Sequence, residues 1–272
     1  QSQTMTMSPH DFDPTRAEVR QQRVAHRLAS AIAHGRLQVV YQPEIDVQTR
    51  QVISLEALCR WHDEELGTVA PDEFIAVAEA RGQIAPLGEY MLQRVLTDLP
   101  AVLRQWPSAR VAVNVSGVEL ARADFAERVA EHIRAVDPRM AHHLELEVTE
   151  SVFHHDVPTV RQHLLSLREL GLTVAIDDFG TGQSSLSRLH TLPFDKIKLD
   201  RLFVLEMQAP MVRAIIRGMA HLAQEFQRTL VVEGVETPEQ QAQLLELGCP
   251  IQQGYLMQSP LPLAELLARK LG

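Results

Sequence analysis

Six oxygen-bearing side chains fall toward the ends of separate apolar runs in this sequence. They are Glu56 in VISLEAL, Asn114 in RVAVNVS, Glu147 in HLELEVTE, the adjacent Asp177 and Asp178 in LTVAIDDFG, and Glu233 in TLVVEGVE. Lys198 in FDKIKLD and Gln253 in PIQQGY occupy comparable positions. Five carboxylates drawn to one mouth would repel one another unless cations neutralised them. Oxygen ligands without Cys or His select Mg²⁺ or Mn²⁺ over zinc. Adjacent aspartates can serve two ions, one of them bridging, as in two-metal phosphoryl chemistry. Taken singly, each residue has an ordinary explanation: Glu56 as a surface glutamate, Asn114 as a turn residue, Glu233 or Glu236 as a charge near a helix start. Their recurrence at the end of strand after strand is what asks for chemistry.

The elements that must position them are short apolar runs beginning at Leu37, Val52, Arg110, His143, Leu172, Phe194, Thr229 and Pro250. Between most of them lie amphipathic stretches long enough for helices, including Asp72–Arg81, Ala123–Val136, Val157–Leu170 and Met211–Phe226. Pro158 and Pro238 sit near two helix starts, and Gly171 and Gly248 near two helix ends. Strand and helix alternating over this length predict a parallel α/β sheet, open or closed into a barrel. No GxGxxG follows the first strand, which disfavours a dinucleotide fold. Within the strands, Val111, Val113 and Val115 alternate with Ala112, Asn114 and Ser116, and Leu144, Leu146 and Val148 with Glu145, Glu147 and Thr149. Ile197 and Leu199 likewise alternate with Lys196, Lys198 and Asp200. One polar face per buried strand, richest toward its C-terminal end, is what a site at the top of a barrel requires. An antiparallel sheet with one wet face gives the same alternation but accommodates the intervening helices poorly.

The bulk properties set the limits. The 272 residues carry a formal net charge of −9, with 45% hydrophobic and 22% charged residues, the balance of a globular protein. An acidic chain is a poor partner for nucleic acid polymers, though not for a small anion held through cations. No apolar window is long enough to span a membrane, and the first twenty residues lack the apolar core of a signal peptide. Cys59 and Cys249, the two cysteines, read as reduced, buried thiols of a cytoplasmic chain. The pairs His142-His143 and His154-His155 lack the spacing of a zinc site. Residues 1–20 read as a linker, and 21–272 as the folded domain.

In order along the chain, these stretches resemble the EAL phosphodiesterase family from about Arg23 to Leu271. The resemblance is carried by Tyr41-Gln42-Pro43, Glu56-Ala57-Leu58 with Arg60, Asn114 in VNVS, and Glu147-Val148-Thr149-Glu150. It continues through Asp177-Asp178-Phe179-Gly180-Thr181-Gly182, Lys198-Leu199-Asp200, Glu233-Gly234-Val235-Glu236 and Gln253-Gly254-Tyr255. A lone EAL tripeptide carries nothing, whereas this ordered series is specific.

The resemblance implies a modified (β/α)8 TIM barrel with an antiparallel first strand, and metal-dependent hydrolysis of cyclic di-GMP to linear pGpG. Glu56, Asn114, Glu147 and Asp177 would hold one divalent cation, and Asp177, Asp178 and Glu233 a second. The cations would be Mg²⁺ or Mn²⁺ acting on a shared water, with Ca²⁺ inhibitory. Lys198, Glu56 and Glu233 would be the catalytic groups, with Lys198 orienting the water or accepting its proton. Gln42, Arg60, Asp200 and Gln253 would contact the substrate, Arg60 through a phosphate. Glu150 would support the loop after Asp178, and Glu236 the loop after Glu233. Gly180 and Gly182 would supply positive φ angles in the former. The family setting implies bacterial second-messenger signalling, a homodimer through the face carrying the Asp177–Ser185 loop, and an attached sensory or cyclase domain. Gln183, Glu119 and Cys59 stand where the family commonly has Tyr, Gln and Leu, and none is an expected metal ligand. Two other functions fit parts of the pattern. One is a catalytically silent cyclic di-GMP receptor; the other is an enolase-type lyase, which leaves the Tyr41-Gln42-Pro43 and Gln253-Gly254-Tyr255 elements unexplained.

Overall fold

The computed structural model describes residues 14–181 and 186–271. Gly182, Gln183 and the end of the expected dimer loop lie outside the described residues, as does most of the expected linker.

Eight strands close into a barrel: β1 (Gln38–Asp46), β2 (Gln51–Asp63), β4 (Arg110–Val115), β5 (Leu144–Thr149), β6 (Thr173–Phe179), β7 (Lys196–Leu199), β8 (Thr229–Val232) and β9 (Ile251–Gln252). From β2 through β9 neighbouring barrel strands run parallel, while β1 is antiparallel to both of its neighbours, β2 and β9. This is the barrel with a reversed first strand, and it excludes the antiparallel sheet with one wet face. β3 (Gly67–Val69), a three-residue strand extending β2 as a hairpin, escapes the sequence pattern because it is too short to alternate.

The outward faces of the strands are apolar and meet a ring of helices. These are α2 (Pro71–Ala80), α3 (Ile84–Gln105), α5 (Phe125–Val136), α6 (Val157–Leu170), α8 (Pro210–Glu225) and α9 (Pro238–Glu246). Val111, Val113, Leu144, Leu146, Val174, Ile176 and Ile197 are buried in one continuous core with Leu96, Ile133, Leu164 and Ile216 of those helices. Each such side chain contributes about 1.5–3 kcal/mol relative to exposure. The α6 helix carries Pro158 in its first turn and ends on Gly171, whose φ of 114° is a left-handed cap that a side chain would strain. In α9, Thr237 and Gln240 form a reciprocal capping box.

The first helix, α1 (Pro14–Ala33), begins inside the segment read from sequence as linker. Val24, Leu28 and Ala31 recur at helical spacing and are buried against Trp61 and Phe74, and the helix runs back from that anchor. Its polar first turns lie on the surface, where Arg20 pairs with Glu73 of α2 at 2.6 Å. Both cysteines are free; Cys249 is buried, but Cys59 is only half-buried, being at the mouth of the barrel rather than in its core. No described helix is long and apolar enough to cross a membrane.

Candidate metal centre

The barrel interior is filled with charge rather than hydrocarbon, and the strand register explains why. Side chains two apart on a strand share a face. Glu145 and Glu147 of β5 therefore both point inward, as do Lys196 and Lys198 of β7 and Gln42 and Glu44 of β1. The result is two stacked layers. In the lower one, Lys196 Nζ donates to Glu44 Oε2 and Glu145 Oε1, each at 2.8 Å, and Thr173 Oγ1 donates to the other oxygen of Glu145 at 2.9 Å. In the upper one, Lys198 Nζ meets Glu56 at 2.9 Å, Glu147 at 3.0 Å and Glu233 at 3.2 Å.

Asp177 and Asp178 reach the upper layer by a local break in the rules. Adjacent strand residues normally point to opposite faces, but the β6–β7 register shifts between Ile176 and Phe179. Asp178 takes a φ of 51° at this bulge, which turns the chain so that both carboxylates serve one site. Asp178 N donates to Asp177 Oδ1 at 2.9 Å, and Glu150 Oε1 accepts from Gly180 N at 3.0 Å just beyond. Gly180 has a φ of 98° and the Phe203 ring lies where a Cβ would be, so only glycine fits.

Two acidic triads result, Glu56-Glu147-Asp177 and Asp177-Asp178-Glu233, each with ligand oxygens within 4.8 Å of one another and with Asp177 common to both. Asn114 joins the first, its Nδ2 donating to Glu56 Oε2 at 3.1 Å. The electrostatics of this ring without cations are unfavourable. Burial, then Glu56, pushes the Glu147 carboxyl well above the usual carboxylate range, and burial does the same to Glu233. Burial, with Asp177 and Asp200 beside it, pushes Asp178 up to about 7. Lys198 is fully buried, which by itself would lower its pKa, yet the surrounding carboxylates hold it well above its ordinary value. Counting Glu44 and Glu145 below, seven interior carboxylates face two ammoniums. Glu147 Oε2 is buried and accepts no hydrogen bond among the described residues. An all-oxygen donor set with excess negative charge and an unmatched buried oxygen fits hard divalent cations.

The remaining expected residues are distributed around this ring. Arg60, at the end of β2, donates to Cys59 O at 3.1 Å and lines a cavity of about 300 Å³ that opens onto Asn114, Glu147, Asp177 and Asp178. The cavity is also lined by apolar residues, among them Phe74, Ile75, Leu87 and Met91. Gln42 is buried and donates to Gln258 O at 3.2 Å. Gln253, expected on the substrate, donates to Glu56 Oε1 at 3.1 Å and so fixes that carboxylate in place. Asp200 caps α7 (Arg201–Leu205), accepting from Leu202 N at 2.9 Å. The Glu236 side chain is exposed, and its loop is tied down instead by Gln240 Oε1, which accepts from the backbone N–H of Glu236 and Thr237. Glu44 was not among the expected site residues. Its only signal in the sequence is its spacing of two from Gln42 on a strand otherwise read as apolar.

Comparison with known proteins agrees with this architecture. The sequence model of the EAL domain matches residues 25–260. The chain is 39% identical over 246 residues to the cyclic di-GMP phosphodiesterase NbdA of Pseudomonas aeruginosa, covering 90% of this chain and 31% of that protein. It is 33% identical over 265 residues to the oxygen sensor protein DosP of Escherichia coli, covering 94% and 32%. Among solved structures, the PaMucR phosphodiesterase in complex with c-di-GMP superposes with a TM-score of 0.81 at 33% identity, covering 90% of this chain and 99% of that one. The EAL enzyme Bd1971, in its form bound to cAMP and cyclic di-GMP, superposes with a TM-score of 0.85 at 27% identity, covering 93% and 69%. The chain spans about a third of the length of the curated relatives it matches. With the family motifs spread through the whole barrel and the acidic ring at its mouth, the chain belongs to the EAL domain family.

Proposed function

We propose that this barrel hydrolyses cyclic di-GMP to linear pGpG, using two divalent cations, Mg²⁺ or Mn²⁺, held by the upper carboxylates. The observation that carries the proposal is the pair of triads sharing Asp177. Glu56, Asn114, Glu147 and Asp177 would hold one ion, and Asp177, Asp178 and Glu233 the other. Such ions, when bound, supply Lewis acidity toward the phosphodiester and lower the pKa of a coordinated water. Further support comes from a relative named as a cyclic di-GMP phosphodiesterase and from a superposable phosphodiesterase solved with c-di-GMP.

The chain's own groups divide the remaining work. Lys198 lies among four carboxylates that keep its Nζ protonated, so its part is to donate hydrogen bonds and offset developing negative charge. That is a different role from accepting the water's proton. Gln253 and Asn114 fix the Glu56 carboxylate from two sides, which sets its orientation before any ligand arrives. Arg60 stands at the cavity wall where a planar guanidinium can pair with a phosphate. Ile75 and Met91, backed by the buried Phe74 and Leu87, offer apolar surface to a purine face. Gln42 and Asp200 complete the polar rim. The same proposal includes a homodimer and further domains on the same polypeptide, the latter supported by the length of the relatives.

The test is incubation of the protein with cyclic di-GMP in Mg²⁺, in Ca²⁺ and in chelator, with chromatographic readout of pGpG alongside calorimetric binding. Mg²⁺ demands a near-octahedral shell, whereas Ca²⁺ accepts longer and irregular contacts. Conversion in Mg²⁺, binding without conversion in Ca²⁺, and neither in chelator are expected. Binding without conversion in both Mg²⁺ and Mn²⁺ would make the domain a receptor instead.

A further inference from the structure

Lys198 Nζ has a fourth carboxylate neighbour, Glu44 Oε1 at 3.2 Å. Of the four, Glu56, Glu147 and Glu233 belong to the triads proposed to hold cations, and Glu44 does not. Glu44 also forms an acidic triad with Glu145 and Glu147, but the Lys196 ammonium bonds both Glu44 and Glu145. Glu44 is fully buried one layer below the site, with its Oε2 fixed by Lys196 at 2.8 Å. Burial alone would raise its pKa, yet Lys196 and Lys198 together hold it down at about 2, so it is an anion throughout the working range. Its Oε1 faces Lys198 without a well-aligned hydrogen bond, an acceptor not yet fully engaged.

An ammonium has three N–H groups and cannot satisfy four carboxylates at once. When the three upper carboxylates turn to cations, Lys198 would be left buried without a counter-ion, a costly state. We infer that Glu44 is a positioning residue that takes over Lys198 on cation binding. It thereby releases Glu56, Glu147 and Glu233 to the cations and keeps the ammonium beneath the reacting phosphate. This rests on the proposed reading of the upper carboxylates as cation ligands. The bland role for the same residue is to neutralise Lys196 and nothing more.

Two variants separate these roles. Glu44→Gln keeps the shape and removes the charge. Metal-stripped Glu44→Gln is expected to bind Mn²⁺ about tenfold more weakly than the native chain by calorimetry, the scale of loss when a residue supporting a metal site is removed. At saturating Mg²⁺, its kcat should fall by a similar factor, with KM for cyclic di-GMP unchanged. The Lys196→Met variant breaks the lower layer but leaves Glu44 to Lys198, so it should lose Tm while its Mn²⁺ affinity stays near native. Native Mn²⁺ affinity in Glu44→Gln, or an equal loss of affinity in Lys196→Met, would overturn the inference. Should the native chain bind Mn²⁺ and hydrolyse nothing, the proposed activity fails, and the Mn²⁺ comparison still decides the role of Glu44.

Discussion

Two layers of glutamate and lysine lie one above the other inside this barrel, drawn in part from the same strands, and their charges close differently. The lower layer places one ammonium between two carboxylates, and Glu145 has both oxygens engaged, by Lys196 and by Thr173. The upper layer gathers five carboxylates around one ammonium and leaves Glu147 Oε2 without a donor. Buried ion pairs add little net stability, but an unbalanced buried cluster destabilises the fold unless something else joins it. The lower layer is therefore the nearly closed one, with only Glu44 Oε1 unmatched, and the upper layer is the open one, proposed to take up positive charge. Residue type alone does not distinguish them; the count of partners does.

The largest expected effect falls on the closed layer. Lys196→Met would leave Glu44 and Glu145 buried with less compensation, at a cost of about 3–5 kcal/mol, measurable by urea unfolding. A loss below about 1 kcal/mol would mean that the lower layer is hydrated and the contrast between the layers is false. In the open layer, Lys198→Met removes an ammonium from an already electronegative ring. Turnover should drop on the order of 10²–10³-fold, as when a donor aimed at developing charge is lost. Affinity for cyclic di-GMP should hold within a few-fold, and a matching loss of affinity would move Lys198 onto the bound substrate instead.

A buried carboxyl outside both layers, with no lysine bonded to it, sharpens the contrast. Glu119 lies against Gly88, where there is no space for a Cβ, and its pKa is pushed up to about 8 by burial and then by Glu89. Between its ordinary value of 4.5 and about 8, the folded chain keeps a proton that the unfolded chain has lost. Stability from this group is therefore present at low pH and declines as pH rises through that window. Glu119→Gln should match the native chain near pH 4 and exceed it in Tm at pH 9. Equal Tm values at pH 9 would show that the carboxylate is solvated there. The smallest effect belongs to Glu236→Ala. With an exposed side chain and the loop held by Gln240, turnover should change less than about twofold and stability by less than about 0.5 kcal/mol. A larger loss would restore the supporting role that the family resemblance implied.

Much of this arrangement is legible in the sequence, for physical reasons. Glu147, Lys198 and Glu233 each interrupt an apolar run near the end of a strand, and Glu56 interrupts one in the middle of β2. The eight barrel strands are visible as short apolar runs, and Pro158 and Gly171 mark the ends of α6 by backbone chemistry. What is not visible depends on contacts between distant residues or on local backbone breaks. The turn that aims Asp178 into the site is a bulge with a positive φ at a non-glycine residue, which no residue type announces. Gln253 reaches Glu56 across 197 positions, and only closure of the barrel makes that bond. Glu44 reads as one polar residue on an apolar strand until Lys196 and Lys198 are set against it. The N-terminal turns of α1 are polar because only the later turns are buried, so composition presents them as linker.

The claim that the upper layer is built to be completed by two cations is tested most directly by counting them. Metal-stripped protein titrated with Mn²⁺ in a calorimeter should take up two ions per chain, and Asp177→Asn, which removes the carboxylate common to both triads, should take up no more than one. No binding by the native chain, or two ions bound by the Asp177→Asn variant, would contradict it.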